Sequence, residues 1–139
     1  MKRKIVVGTS LLLLTACSIN QHVEPVMLAN GADLCVVRNP EVRQGFLDQY
    51  EAVLRSKNIS YRIVSEQAVP QSCQWTSTYE AHWRWDLALY MAYAEIKVFQ
   101  NGSLEGVAKY DATRGSGNFS KFIDAEPKIR ELVNQLINI

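Results

Sequence analysis

Three cysteines, Cys17, Cys35 and Cys73, and two histidines, His22 and His82, are the residues of this 139-residue chain best suited to covalent, redox or metal chemistry. His82 has the richer surroundings, with Glu80, Arg84 and Asp86 at alternate positions, types that could exchange protons or hold an anion. No Gly-x-Ser-x-Gly or other nucleophile setting accompanies them. The alternation itself points elsewhere: Thr78, Glu80, His82 and Arg84 interleave with Tyr79, Ala81, Trp83 and Trp85, so the polar set lines the solvated face of a strand. His22 lies alone in a polar segment, and neither a Cys-x-x-Cys nor a paired-histidine spacing is present, so the sequence calls for no metal and no cofactor. Arg114-Gly115-Ser116-Gly117-Asn118 lacks the Gly-Lys-Ser/Thr ending of a phosphate loop and reads as a turn. Lys109, Asp111 and Asp124 near it read as surface charges.

Cys17 stands in a different context. Lys2, Arg3 and Lys4 precede the apolar run Ile5–Leu14, and Thr15-Ala16 places small residues just before the cysteine, which is the layout of a secretory signal peptide. A run of ten residues is too short to cross a bilayer, which takes about 20. The stretch Leu14-Thr15-Ala16-Cys17 resembles the lipobox of bacterial lipoproteins. That resemblance implies that residues 1–16 are removed, that Cys17 becomes the first mature residue, and that its sulfur carries a diacylglyceryl group, so the lipid bilayer is a partner through acylated Cys17. Two or three acyl chains hold a protein stably, each buried CH₂ contributing about 0.8 kcal/mol. Ser18, where an aspartate would retain such a protein at the inner membrane, implies the periplasmic face of the outer membrane.

Removing residues 1–16 takes away three of the 15 basic residues and leaves 123 residues, with 12 Lys and Arg against 14 Asp and Glu. This is the size of one domain. No basic cluster is concentrated enough to recommend nucleic acid. With Cys17 given to lipid, Cys35 and Cys73 remain as an even pair in an oxidising compartment, and a disulfide is their natural use. The 39-residue loop it would close corresponds to roughly 4 kcal/mol in the chain-entropy account.

Residues 17–32 are polar and small, with Pro25 and Asn30-Gly31, and read as a lipidated tether; the domain is expected over 33–139. Leu34–Val37 reads as a buried strand. Asn39-Pro40-Glu41 supplies a helix start, and Val42, Phe46, Tyr50 and Val53 or Leu54 recur at helical spacing up to a left-handed cap at Asn58. Ile59–Val64 completes a strand, helix, strand unit with parallel strands. From Trp75 the period becomes two. Asp86–Ala94 could form a capped helix, but the run of Ile96, Val98 and Phe99 into the Asn101-Gly102 turn favours strand, then a hairpin to Leu104–Tyr110. Ile129, Leu132, Val133 and Leu136 form the stripe of a last helix, with Pro127 in its first turn and a short turn at Phe119–Ile123 before it. The fold class expected is α/β: one mixed sheet of about five strands packed by two helices.

Trp75, Tyr79, Trp83, Trp85, Tyr90 and Tyr93 crowd one stretch of the chain. Most are expected in the core, but an exposed Trp83 or Trp85, with His82 and Arg84 beside them, would mark a candidate surface for an envelope protein or glycan. The segments Trp83–Tyr90, Tyr110–Gly115 and Lys121–Glu126 resemble a small proteobacterial envelope lipoprotein family without assigned activity. The leading reading is therefore a membrane-anchored, non-enzymatic lipoprotein that binds or supports another envelope component through its sheet edge or aromatic face. A periplasmic hydrolase with an unrecognised site is the alternative, and a structural or stress-related protein that contacts only the bilayer is a third.

Overall fold

Leu34, Cys35 and Val36 are fully buried at the centre of strand β3 (Asp33–Arg38), as their continuous apolar character requires, in a computed structural model that describes residues 19–115 and 117–138. The signal segment, Cys17 and Ser18 lie outside the described residues. Helix α1 (Gln44–Ser56) follows β3 and buries Phe46, Leu47, Tyr50, Val53 and Leu54 along one stripe. It ends where Asn58 adopts φ +54°, the left-handed conformation that asparagine tolerates. The chain then returns as β4 (Ser60–Ser65), parallel to β3 from Asp33↔Ser60 to Arg38↔Ser65.

The helix starts later than the sequence suggests. Asn39 is not its cap, because its side chain is committed elsewhere: Nδ2 donates to the Tyr79 carbonyl at 3.1 Å and Oδ1 accepts from the Glu41 amide at 3.0 Å. With the Asn39 amide also donating to the Tyr79 hydroxyl, residues 39–42 form a turn that pins the end of β3 to the next strand. Pro40 therefore precedes the helix instead of opening it.

Three long strands form an antiparallel meander: β5 (Trp75–Asp86), β6 (Ala88–Gln100) and β7 (Ser103–Asp111). Asn101 and Gly102, at φ +49° and +81°, make the β6–β7 turn that their types predict. The stretch 88–94 is strand, in line with the reading from its run into that turn. Helix α2 (Ala125–Leu136) carries Pro127 in its first turn and buries Ile129, Leu132, Val133 and Leu136. Both helices cover the same core, which alternate residues of the sheet complete: Tyr79, Ala81, Ala94, Ile96, Val98 and Ala108. At its centre the Tyr50 and Ser77 hydroxyls are 2.6 Å apart, and Ser77 donates to the Lys97 carbonyl, so neither buried hydroxyl lacks a partner.

Two features depart from expectation. The sheet has six strands in the order β1-β7-β6-β5-β3-β4, because β1 (Asn20–Glu24) pairs antiparallel with β7. Beyond it β2 (Val26–Met27) runs parallel to β8 (Ile137–Asn138) in a separate ribbon, with Val26 and Leu28 buried. Residues 20–28, expected to be tether, thus belong to the folded unit. The sequence signal is faint: only Val23, Val26 and Leu28 turn inward among polar neighbours. Gly106 permits the crossing, since a Cβ there would lie 2.9 Å from that of Val26 and 3.1 Å from the Glu24 carbonyl oxygen.

Cys35 and Cys73 form the expected disulfide, with Cα atoms 6.0 Å apart, tying the sheet centre to the loop before β5. Arg62 Nη2 lies 3.5 and 3.6 Å from the two sulfurs. Replacing both cysteines by alanine is expected to lower the unfolding free energy by about 2–4 kcal/mol in denaturant titrations; an unchanged midpoint would show that the crosslink contributes nothing.

A second expectation concerns alkali. Burial pushes the phenols of Tyr50, Tyr79, Tyr93 and Tyr110 up, Tyr93 to about 12 with the Glu95 carboxylate adding to the effect. Each holds its proton more tightly folded than unfolded, where a phenol titrates near about 10. Their stabilising contribution is complete below that value and is lost as pH rises from about 10 towards 12. Thermal melts should fall across this window, and melts that stay level through it would contradict the burial.

Candidate functional site

The aromatic segment becomes a projecting arm. β5 pairs with β3 only through Trp75–Ser77, and β6 pairs with β7 only from Tyr93 onward, so the β5–β6 hairpin continues past its neighbours on both sides. One further bond, from the Ala112 amide to the Ala92 carbonyl, extends the β7 side slightly. From Ala92 to the apex at Leu87 the arm reaches about 15–20 Å at the usual rise per residue. A register shift between His82 and Trp83 gives it a bulge near its base.

Along the arm, burial fades strand-wise. Trp75 and Tyr79 are buried, Trp83 is half-buried under the Arg43 guanidinium, 5.3 Å from its ring, and Trp85 is 75% exposed. Trp85 is paired across the hairpin with Leu89, 46% exposed, so the two share a face. Leu87 at the turn is 83% exposed. The expectation that most of these aromatics are core holds for Trp75, Tyr79 and Tyr90.

The polar set does not come together as the sequence grouped it. His82 Nε2 meets Glu80 Oε1 at 3.0 Å on the exposed face, with the Tyr93 ring 5.7 Å from the imidazole. Arg84 instead reaches the Thr113 carbonyl, at 3.4 Å, and Asp86 is ion-paired with Lys121. His22 pairs with Glu24. Asp111 accepts from the Thr113 amide and hydroxyl, which hold its carboxyl below the usual range. Lys109 lies over the Tyr93 ring, and the Gly115 amide donates to the Ala112 carbonyl and the Asn118 amide to the Gly115 carbonyl. Among the described residues no group of three or more His, Cys, Asp or Glu is arranged to hold a metal ion.

Lys121 is the residue that sequence reasoning missed. Its side chain is 3% exposed, with Nζ against Asp86 Oδ2 and 5.2 and 5.1 Å from the ring centroids of Tyr90 and Phe122. Those rings meet edge to face at 5.5 Å, and Phe119 lies 6.3 Å from Phe122, itself 78% exposed. A lysine is rarely buried without a carboxylate, and here aromatic faces complete the enclosure. The short 3₁₀ turn Phe119–Lys121 is thereby clamped to the arm's apex. Nothing in the spacing of Asp86 and Lys121 announces the pair, because they are 35 positions apart and join two elements.

No family model matches the chain, and none of the curated proteins does. Among solved structures, the dodecamer of PelC from Paraburkholderia phytofirmans is 18% identical, with 86% of this chain and 98% of that chain covered at a TM-score of 0.58. A point variant of that PelC dodecamer gives 16% identity, 86% and 99% coverage and a TM-score of 0.59. A minor lipoprotein from Acinetobacter baumannii is 11% identical, covered over 75% of this chain and 87% of that one, with a TM-score of 0.38. The α/β fold is thus shared with PelC. No helix among the described residues is long and apolar enough to cross a membrane.

Asp86→Asn should leave the buried Lys121 ammonium without its carboxylate, at a cost of about 1–3 kcal/mol given that Asp86 is half exposed. Hydrogen exchange should accelerate over residues 117–122 first. Exchange there that matches wild type would show that the ion pair does not hold the segment.

Proposed function

We propose that this chain is a lipid-anchored bacterial envelope protein that works by binding rather than by catalysis. The observation that carries the reading is the short sequence separation between Cys17 and the sheet: β1 begins at Asn20, three residues on. Three extended residues span about 10 Å, so acyl chains on Cys17 would hold the domain against the bilayer surface rather than on a long leash. The lipobox resemblance supplies the acylation, and Ser18 favours the periplasmic face of the outer membrane. The Cys35–Cys73 disulfide supports an oxidising compartment.

The binding side we assign to the edge of the sheet. β4 pairs with β3 on one side alone, and Ile63 on it is partly exposed, so a row of backbone groups is open to another strand. PelC of the same fold is a dodecamer, which makes another copy of this chain the first partner to test. The groups that would suit a hydrolase are engaged locally, His82 with Glu80 and Asp86 with Lys121, which favours binding over chemistry.

Mass spectrometry of the purified native protein should find diacylglyceryl on an amino-terminal Cys17, and Cys17→Ser should remain an unlipidated precursor. A photo-crosslinker at Ile63 should capture a multimer of the chain in intact membranes. An unmodified Cys17 would overturn the anchor, and crosslinks only to lipoprotein-processing machinery would overturn the binding role.

A further inference from the structure

We infer that the apex of the β5–β6 arm is a membrane-inserting element, with Trp85, Leu87 and Leu89 entering the interfacial zone of the bilayer that the lipid on Cys17 occupies. The inference rests on the anchor proposed above and adds a second, non-covalent contact with the same membrane.

Three observations converge on it. The first is direction. β1 is antiparallel to β7, and β7 is antiparallel to β6, so β1 and β6 run the same way and both begin at one end of the sheet. For β6 that end is the arm's apex. β1 therefore begins, at Asn20, at the apex end of the sheet, and the Asn101-Gly102 turn lies at the opposite end. Contacts make the link local: Ile19 lies against Gly115, where an added Cβ would be 3.4 Å from Ile19 Cγ1 and 3.7 Å from the Cβ of Lys121. Lys121 in turn is paired with Asp86, next to the apex. Ile19, at the start of the described chain, and the apolar apex are thus linked through one local set of contacts.

The second observation is strain without a folding return. Leu87 holds φ +63°, a conformation that a β-carbon disfavours and that hairpin turns ordinarily give to Gly, Asn or Asp. Its side chain is 83% exposed and adds little to the core. Backbone strain combined with an exposed leucine is explained when something outside the domain takes the side chain.

The third is composition. A tryptophan and two leucines at the apex, Phe119 on the neighbouring turn, and exposed Arg84 and Arg114 behind them reproduce the layering of an interfacial segment: apolar and indole groups at the acyl boundary, guanidinium groups among phosphates. A second protein copy would also take apolar groups, but it would not require them to share an end of the sheet with the acylation site.

The test uses the full lipidated protein, reconstituted into phosphatidylethanolamine and phosphatidylglycerol vesicles whose acyl chains carry bromine. Trp75 is buried and Trp83 half-buried, so bromine-dependent quenching should come from Trp85, accompanied by a blue shift, and should disappear in Trp85→Phe. Leu87→Gly relieves the backbone strain; it should melt no lower than wild type yet show weaker quenching, a split that a purely structural role would not produce. Unquenched wild-type emission with acylated Cys17 confirmed by mass would overturn the insertion alone. Insertion is likewise overturned if Trp85 is shielded from acrylamide but unreached by bromine, in a protein that sediments as an oligomer. An unmodified Cys17 would overturn both the anchor and the insertion.

Discussion

The antiparallel pairing of β1 with β7 is the constraint on which the architecture of the amino-terminal end depends. Five residues, Asn20–Glu24, are enough to convert what would be a leash into part of the sheet. The pairing is reinforced from the helix layer, where Gln21 reaches Gln135 at 3.2 Å and accepts from Lys128 at 3.0 Å. Those residues are thereby fixed at the apex end of the sheet. Acylation of the cysteine three positions upstream, as proposed, would then set which end of the domain faces lipid.

The rest of the fold gives that end something to present. The helices and the meander share one core, closed by the Tyr50–Ser77 hydroxyl contact and by Lys57, whose Nζ donates to the Ile137 carbonyl at 2.8 Å just past the end of α2. From that core the β5–β6 arm runs on beyond its neighbours. Its apex is braced from one side by the Lys121 clamp, which burdens the fold with a buried cation while fixing the 117–122 segment.

How much of this is legible in the residues depends on whether the determining interaction is local. Helices α1 and α2 follow from their stripes and from Asn58 and Pro127; the β6–β7 turn follows from Asn101-Gly102; the parallel β3–β4 unit follows from the strand, helix, strand order. The apex turn at Leu87 does not, since no turn residue marks it and Asp86 has the type of a helix cap. The start of α1 is displaced from its sequence signal because Asn39 bonds to Tyr79, 40 positions away. β1 and β2 are hidden for the same reason, their pairing partners lying near the other end of the chain. At the candidate surface, Trp83, Trp85, His82 and Arg84 form a group in sequence, yet the bulge and the fading cover of the helices separate them: Trp83 is half-buried, Trp85 is open, and His82 lies with Glu80 on the opposite face.

The proposed anchor and apex insertion together require that the start of β1 and the apex of the arm face the membrane together. Paramagnetic broadening of amide signals, recorded for the lipidated protein in bicelles doped with spin-labelled lipid, tests it most directly. Broadening is expected to concentrate at Asn20, Trp85–Leu89 and Phe119, with the Asn101-Gly102 turn untouched. Broadening that was weak and equal at both ends of the sheet would contradict it, because it would mean that the domain tumbles freely above the surface.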